Sequence, residues 1–164
     1  MNALPIALAK LRAVERLYKG AVSSFVDVRE KIETGIEPFE PPPFDPETDN
    51  LEPPFLEEWQ EAEEFQDLIG QMCIGLVHST LKDYLDGVIE RHGLQSDIEK
   101  YVSRRRNQVT GESWFGRYLA FFGEVFGIDW SQSPVLVESL EEINLARNDI
   151  QHGESALGLM NSEG

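Results

Sequence analysis

The chemistry-bearing side chains of this sequence gather near its C-terminal end, in the stretch Ser139-Leu140-Glu141-Glu142-Ile143-Asn144-Leu145-Ala146-Arg147-Asn148-Asp149-Ile150-Gln151-His152-Gly153. Arg147, Asn148 and His152 put a guanidinium, an amide and an imidazole within about a turn and a half of helix. Asn148 and His152 are four apart and share a face, whereas Arg147 and His152 are five apart, roughly 140° round the axis. One copy therefore holds half a site. A two-fold dimer that lays this helix beside its copy brings two arginines and two histidines into one cleft.

Such a cleft suits phosphoester cleavage in RNA. A neutral imidazole, with a reference pKa of about 6.5, takes the proton from a 2′-hydroxyl. The guanidinium holds charge developing on the equatorial phosphate oxygens. Asn148 orients the imidazole or binds a non-bridging oxygen. The scheme requires no metal and no cofactor, and no His/Cys/Asp cluster in the sequence has metal-ligand spacing. The competing reading is an ordinary helix C-terminus, with His152 favouring the helix dipole and Arg147 paired to Glu142 or Asn144.

These residues need a scaffold, and the apolar periodicity supplies one. Leu4, Leu8, Leu11, Val14, Tyr18, Ala21, Phe25 and Ile32 recur at threes and fours and predict a helix over roughly 5–33. Pro5 is tolerated in its first turn, and Thr34-Gly35 stops it. Residues 35–54 hold seven prolines, which exclude a helix or central strand and imply an extended linker. Phe39, Phe44, Leu51 and Phe55 are candidates to pin that linker to the body. It reads either as a solvated tether or as an acidic strap that shields a basic groove or mimics nucleic acid.

Residues 56–92 form the longest helical pattern, with Trp59, Ala62, Phe65, Ile69, Met72, Cys73, Leu76, Val77, Leu81, Tyr84, Leu85, Val88 and Ile89 on its inward side. His78 falls within it as a packed residue rather than a catalytic one. Ser96 with Glu99 has the spacing of a capping box and predicts a short helix over about 97–107. That helix ends in Arg104-Arg105-Arg106, the one basic cluster visible along the chain, read equally as a solvated helix end or as an RNA phosphate contact. Ser113 starts an aromatic-rich helix over 114–126, read as core rather than a base-stacking platform. Ser133 and Pro134 start the motif helix, 134–153. The expected fold is all-α: an up-down bundle of three to four long helices with a Pro-rich acidic linker between the first and second. It forms one domain over 1–164, made of an N-terminal helix in 1–34, the linker in 35–54, a bundle core over 55–153 and a tail in 154–164.

The net charge of −16 is unevenly placed. Residues 35–69 hold twelve acidic residues and no basic one, whereas residues 1–34 hold six basic against four acidic. Overall acidity therefore does not exclude nucleic acid as a partner. One cysteine, Cys73, leaves no internal disulfide framework and fits a reducing cytoplasm. With no stretch of about 18 apolar residues, no membrane span is expected. The first residues lack the basic region of a secretory leader.

The string Arg147-Asn148-Asp149-Ile150-Gln151-His152 resembles the signature of the HEPN superfamily, α-helical proteins carrying an Arg, a polar residue, a short spacer and a His. Leu145-Ala146-Arg147-Asn148-Asp149-Ile150-Gln151-His152-Gly153 is similar to many prokaryotic members, and the helical pattern extends the likeness over 56–153. The resemblance implies a homodimer whose paired motifs form a metal-independent endoribonuclease site, in toxin–antitoxin, phage-defence or RNA-processing systems. It implies Arg147 and His152 as catalytic, Asn148 as supporting, and an antitoxin or other neutralising protein as a partner. The family also includes non-catalytic members that serve as binding or dimerisation modules, which is the alternative reading here.

Overall fold

The computed structural model describes residues 3–43, 53–109, 112–134, 137 and 139–146. All regular structure among them is helical: α1 (Ala3–Thr34), α2 (Leu56–Arg91), α3 (Gln95–Gln108) and α4 (Trp114–Phe126), followed by a 3-10 turn at Trp130–Gln132. Residues 137 and 139–146 are helical as well. The all-α expectation holds. Two of the four α-helices are long, at 32 and 36 residues, and two are short, at 14 and 13. No helix among the described residues is long and apolar enough to cross a membrane.

The helix ends follow backbone accounting. At the end of α1, Ile36 N–H donates to Lys31 and Gly35 N–H to Ile32; after α2, Leu94 N–H donates to Ile89 and Gly93 N–H to Glu90. This paired pattern satisfies terminal carbonyls and needs a left-handed residue, here Gly35 (φ 64°) and Gly93 (φ 66°). Ser113 caps α4 as expected, its Oγ accepting from Gly116 N–H. The expected capping box of Ser96 and Glu99 is not formed. α3 instead starts at Gln95, directly out of the Gly93 turn, with Leu94 as a cap that makes no side-chain bond. The Leu94 carbonyl accepts from Asp97 and Ile98 N–H and leaves Ser96 inside the first turn.

Chain contacts divide the molecule into two compact units, one drawn from Met1–Leu11 and Ile74–Gly164, the other Arg12–Cys73. The second is an antiparallel pairing of the latter part of α1 with the first part of α2. Phe25 stacks on Phe65 at 5.1 Å, the Arg29 guanidinium lies 4.3 Å over the Trp59 ring, and Trp59 Nε1 donates to Glu33 at 3.1 Å. Phe39 meets Phe55 edge-on at 5.3 Å. Phe44 and Leu51, the other proposed pins, lie outside the described residues.

The first unit holds the larger core. Leu85 and Ile89 of α2, Ile98 and Tyr101 of α3, and Phe115, Leu119, Phe121 and Phe122 of α4 form one buried cluster. Phe115 and Phe121 are almost wholly enclosed, each worth roughly 1.5–3 kcal/mol in apolar burial. Trp130 closes the end of α4 by donating from Nε1 to the Leu119 carbonyl at 2.8 Å.

Two expected inward stripes are not fully inward. Leu4, Leu8, Leu11 and Tyr18 of α1, and Phe65, Met72 and Leu76 of α2, are exposed. The physical reason is width. A helix paired with one neighbour buries a narrow seam, and an apolar stripe broader than that seam leaves residues facing out.

Candidate functional site

Arg147, Asn148 and His152 lie outside the described residues, as do Gly153 and the tail 154–164. What the structure describes is the segment that leads into them. Val137 and Leu140 pack against the aromatic core, and Asn144, next along that stripe, is buried with 2% of its surface exposed. The stripe 137, 140, 144 steps by three and four, so the amide occupies a position the helix otherwise fills with apolar side chains.

Asn144 is held there by a tryptophan. Trp114 Nε1 donates to Asn144 Oδ1 at 2.5 Å and lies 3.1 Å from His78 Nε2. One N–H thus serves two acceptors. The imidazole meets the Trp114 ring edge-on at 5.2 Å. His78 is buried, as expected for a packed residue. Asn144 Nδ2 is buried with no hydrogen-bond partner among the described residues, a spare donor three residues before Arg147. Helices α2 and α4 and the 139–146 stretch therefore meet at a shared polar junction inside the core. Sequence reasoning missed this junction. Its one signal was an amide in an otherwise apolar helical stripe.

A second polar set borders it. Tyr118 donates to Asp86 at 2.8 Å, and Lys82 reaches Asp86 at 2.5 Å while lying 5.9 Å over the Tyr118 ring. Burial first, and then the Asp86 hydrogen bond and charge, push the Tyr118 phenol up to about 12. It stays a donor across the physiological range.

The three arginines that end α3 differ from one another. Arg105 is half-buried and commits Nε to both carboxylate oxygens of Glu112 at 2.9 and 2.7 Å, with Nη1 toward Tyr101 Oη at 3.4 Å. The Glu112 hydrogen bond is the main reason its basicity rises. Arg104 lies 5.2 Å over the Tyr101 ring and 3.7 Å from Glu124, mostly in solvent. Arg106 is exposed and forms no ion pair among the described residues. The accessible cations of this cluster are therefore Arg104 and Arg106. Beside them an open groove of about 260 Å³ runs between α3 and α4, with Lys100, Arg104, Asp97 and Glu124 on its rim. Its mixed charge makes it a poor phosphate cradle. Among the described residues no group of three or more His, Cys, Asp or Glu could hold a metal ion.

Comparison with models of known families, with curated proteins and with solved structures found no match.

Proposed function

We propose that this chain is a metal-independent endoribonuclease of the HEPN type, acting as a cytoplasmic homodimer in a toxin–antitoxin or phage-defence setting. The observation that carries the reading is the Arg147-Asn148-x3-His152 spacing in a helical sequence context. His152 takes the proton from the 2′-hydroxyl, Arg147 stabilises the charge gathering on the phosphate, and Asn148 supports one of the two. The partner's copy of the motif completes the cleft. Arg104 and Arg106 serve as the RNA phosphate contacts of α3, and Arg105 joins them only when released from Glu112. A neutralising antitoxin protein is the natural counterpart of such an activity.

The buried Trp114–Asn144 bond supports the reading. Three residues upstream of Arg147 it fixes the rotation of the helix that leads into the motif, and catalysis of this kind depends on fixed geometry.

The test is incubation of the purified chain with mixed RNAs in EDTA. Cleavage leaving 2′,3′-cyclic phosphate ends is expected, with a loss of roughly 10²- to 10⁴-fold in His152→Ala. Cleavage that continues undiminished in His152→Ala sinks the proposal. A non-catalytic partner-binding module is the second reading, favoured by the exposed apolar residues of α1 and α2. It predicts no cleavage by the wild type under any of these conditions.

A further inference from the structure

Two exposed stripes, one on α1 and one on α2, carry opposite charge at matching spacing. On α1, Arg12, Arg16 and Lys19 follow one another by four and three residues; on α2, Glu57, Glu61 and Glu64 do the same. All six are exposed. Arg12, Arg16, Glu57, Glu61 and Glu64 form no ion pair among the described residues, and Lys19 meets Glu15 at 2.7 Å within its own helix. Arg12 and Arg16 also crowd that same carboxylate: the Glu15 pKa is lowered chiefly by the Lys19 hydrogen bond and charge, with both arginines contributing. Like charges four apart on a helix repel; Glu15 offsets part of that on α1, whereas Glu57, Glu61 and Glu64 form no ion pair among the described residues.

The stripes match beyond their charges. Set antiparallel, Lys19 stands opposite Glu57, Arg16 opposite Glu61 and Arg12 opposite Glu64. One step further along the same helices, Leu8 stands opposite Leu68. These two leucines are 44% and 49% exposed. Base meets acid at one end, and apolar meets apolar at the other. At 100° per residue the basic triad lies roughly 120–180° round α1 from Phe25, which packs on α2. The acidic triad lies roughly 140–160° round α2 from Trp59, which meets Arg29 and Glu33 of α1, and roughly 40–100° from Phe65 at the edge of that pairing. Both stripes thus turn away from the pairing of α1 with α2.

We infer that α1 of one molecule docks antiparallel on α2 of a second copy, through Arg12, Arg16 and Lys19 against Glu57, Glu61 and Glu64, with Leu8 against Leu68. Each molecule presents one stripe on each helix, turned outward. The contact is therefore heterologous and repeats from copy to copy, as a ring or an open strand. Exposed ion pairs are individually weak and screened by salt, so the assembly is dynamic and is lost at high ionic strength. None of these residues belongs to the Arg147–His152 motif, and the inference stands apart from the RNA chemistry proposed above.

Sedimentation velocity on the full chain tests it. In low salt the weight-average mass should rise with concentration beyond that of a dimer, and in 1 M NaCl the rise beyond the dimer should vanish. Arg12→Glu with Arg16→Glu makes both stripes acidic, and Glu57→Lys with Glu61→Lys makes both basic. Each double variant should stop at the dimer that the paired Arg147–His152 motifs form, with no rise beyond it over the same concentration range. An equimolar mixture of the two should associate again, because each offers the complement the other lacks. Unchanged circular dichroism shows that the variants remain helical. A wild-type mass that stops at the dimer in low salt, assembly beyond the dimer by either double variant, or a mixture that behaves as its separated components overturns the inference.

Discussion

At the scale of single residues, the Trp114 indole N–H does more than its one proton suggests. It serves Asn144 Oδ1 and His78 Nε2 together, so removing it takes a donor from both buried side chains, at about 1–3 kcal/mol for each acceptor that water cannot reach. Trp114→Phe keeps a ring against Phe115 and Tyr118 but deletes that donor. Asn144→Leu does the reverse. It removes an amide whose Nδ2 already lacks a partner, and it leaves the indole N–H bonded to His78. Trp114→Phe should therefore destabilise the chain by about 2–4 kcal/mol, and Asn144→Leu by clearly less. Urea denaturation of the two variants beside wild type checks the order, and an equal or larger loss in Asn144→Leu removes the shared-donor account. Little of this junction was legible in the sequence. Trp114 lies 36 residues from His78 and 30 from Asn144, and spacing along one helix carries no information about partners on another. The Ser113 cap was legible because it acts within its own turn. The catalytic assignment rested on local spacing too, and pairing of its two halves depends on a second chain.

At the scale of elements, α1, α2 and α4 could be read from apolar period and punctuation, because their ends are set by Gly35, Gly93 and Ser113 through local backbone bonds. α3 defeated the capping-box rule, since the tight turn after α2 hands it a start before Ser96. The sequence also could not say which basic side chains are available. Three consecutive arginines look alike as letters, yet Arg105 is bound to Glu112 and its neighbours are not. That difference yields a prediction with two opposite signs. Glu112→Gln removes a half-buried carboxylate that holds Arg105 through two contacts and should cost on the order of 1 kcal/mol of stability. The same change frees a guanidinium at the end of α3, so RNA affinity should rise. Denaturation and filter binding on one preparation read both quantities, with binding measured in His152→Ala to prevent cleavage. Lower stability with unchanged or weaker RNA binding removes α3 from the proposed RNA surface.

At the scale of the whole molecule, the proposed substrate is a polyanion and the chain carries a net charge of −16. Local cations must act against that field. The field is concentrated in residues 35–69, whose twelve carboxylates have no cation among them. Coulomb repulsion from that segment reaches about 30 Å at 0.01 M ionic strength but only about 3 Å at 1 M. Distance from the RNA site therefore matters little in dilute salt and greatly in concentrated salt. Replacing Glu37, Glu40, Asp45, Glu47, Asp49 and Glu52 by their amides removes half of the twelve charges while keeping every proline and the length of the connection. If the segment merely adds to the general field, RNA affinity in His152→Ala should rise by several-fold in dilute salt, and the gain should vanish by 1 M. If it instead lies on the RNA surface as a strap, the gain should persist at physiological salt, where a distant charge is screened within about 8 Å. A titration of RNA binding against ionic strength separates these two outcomes. Affinity that is unchanged in dilute salt contradicts both, because six carboxylates cannot leave a nearby polyanion's energy untouched when screening is weak.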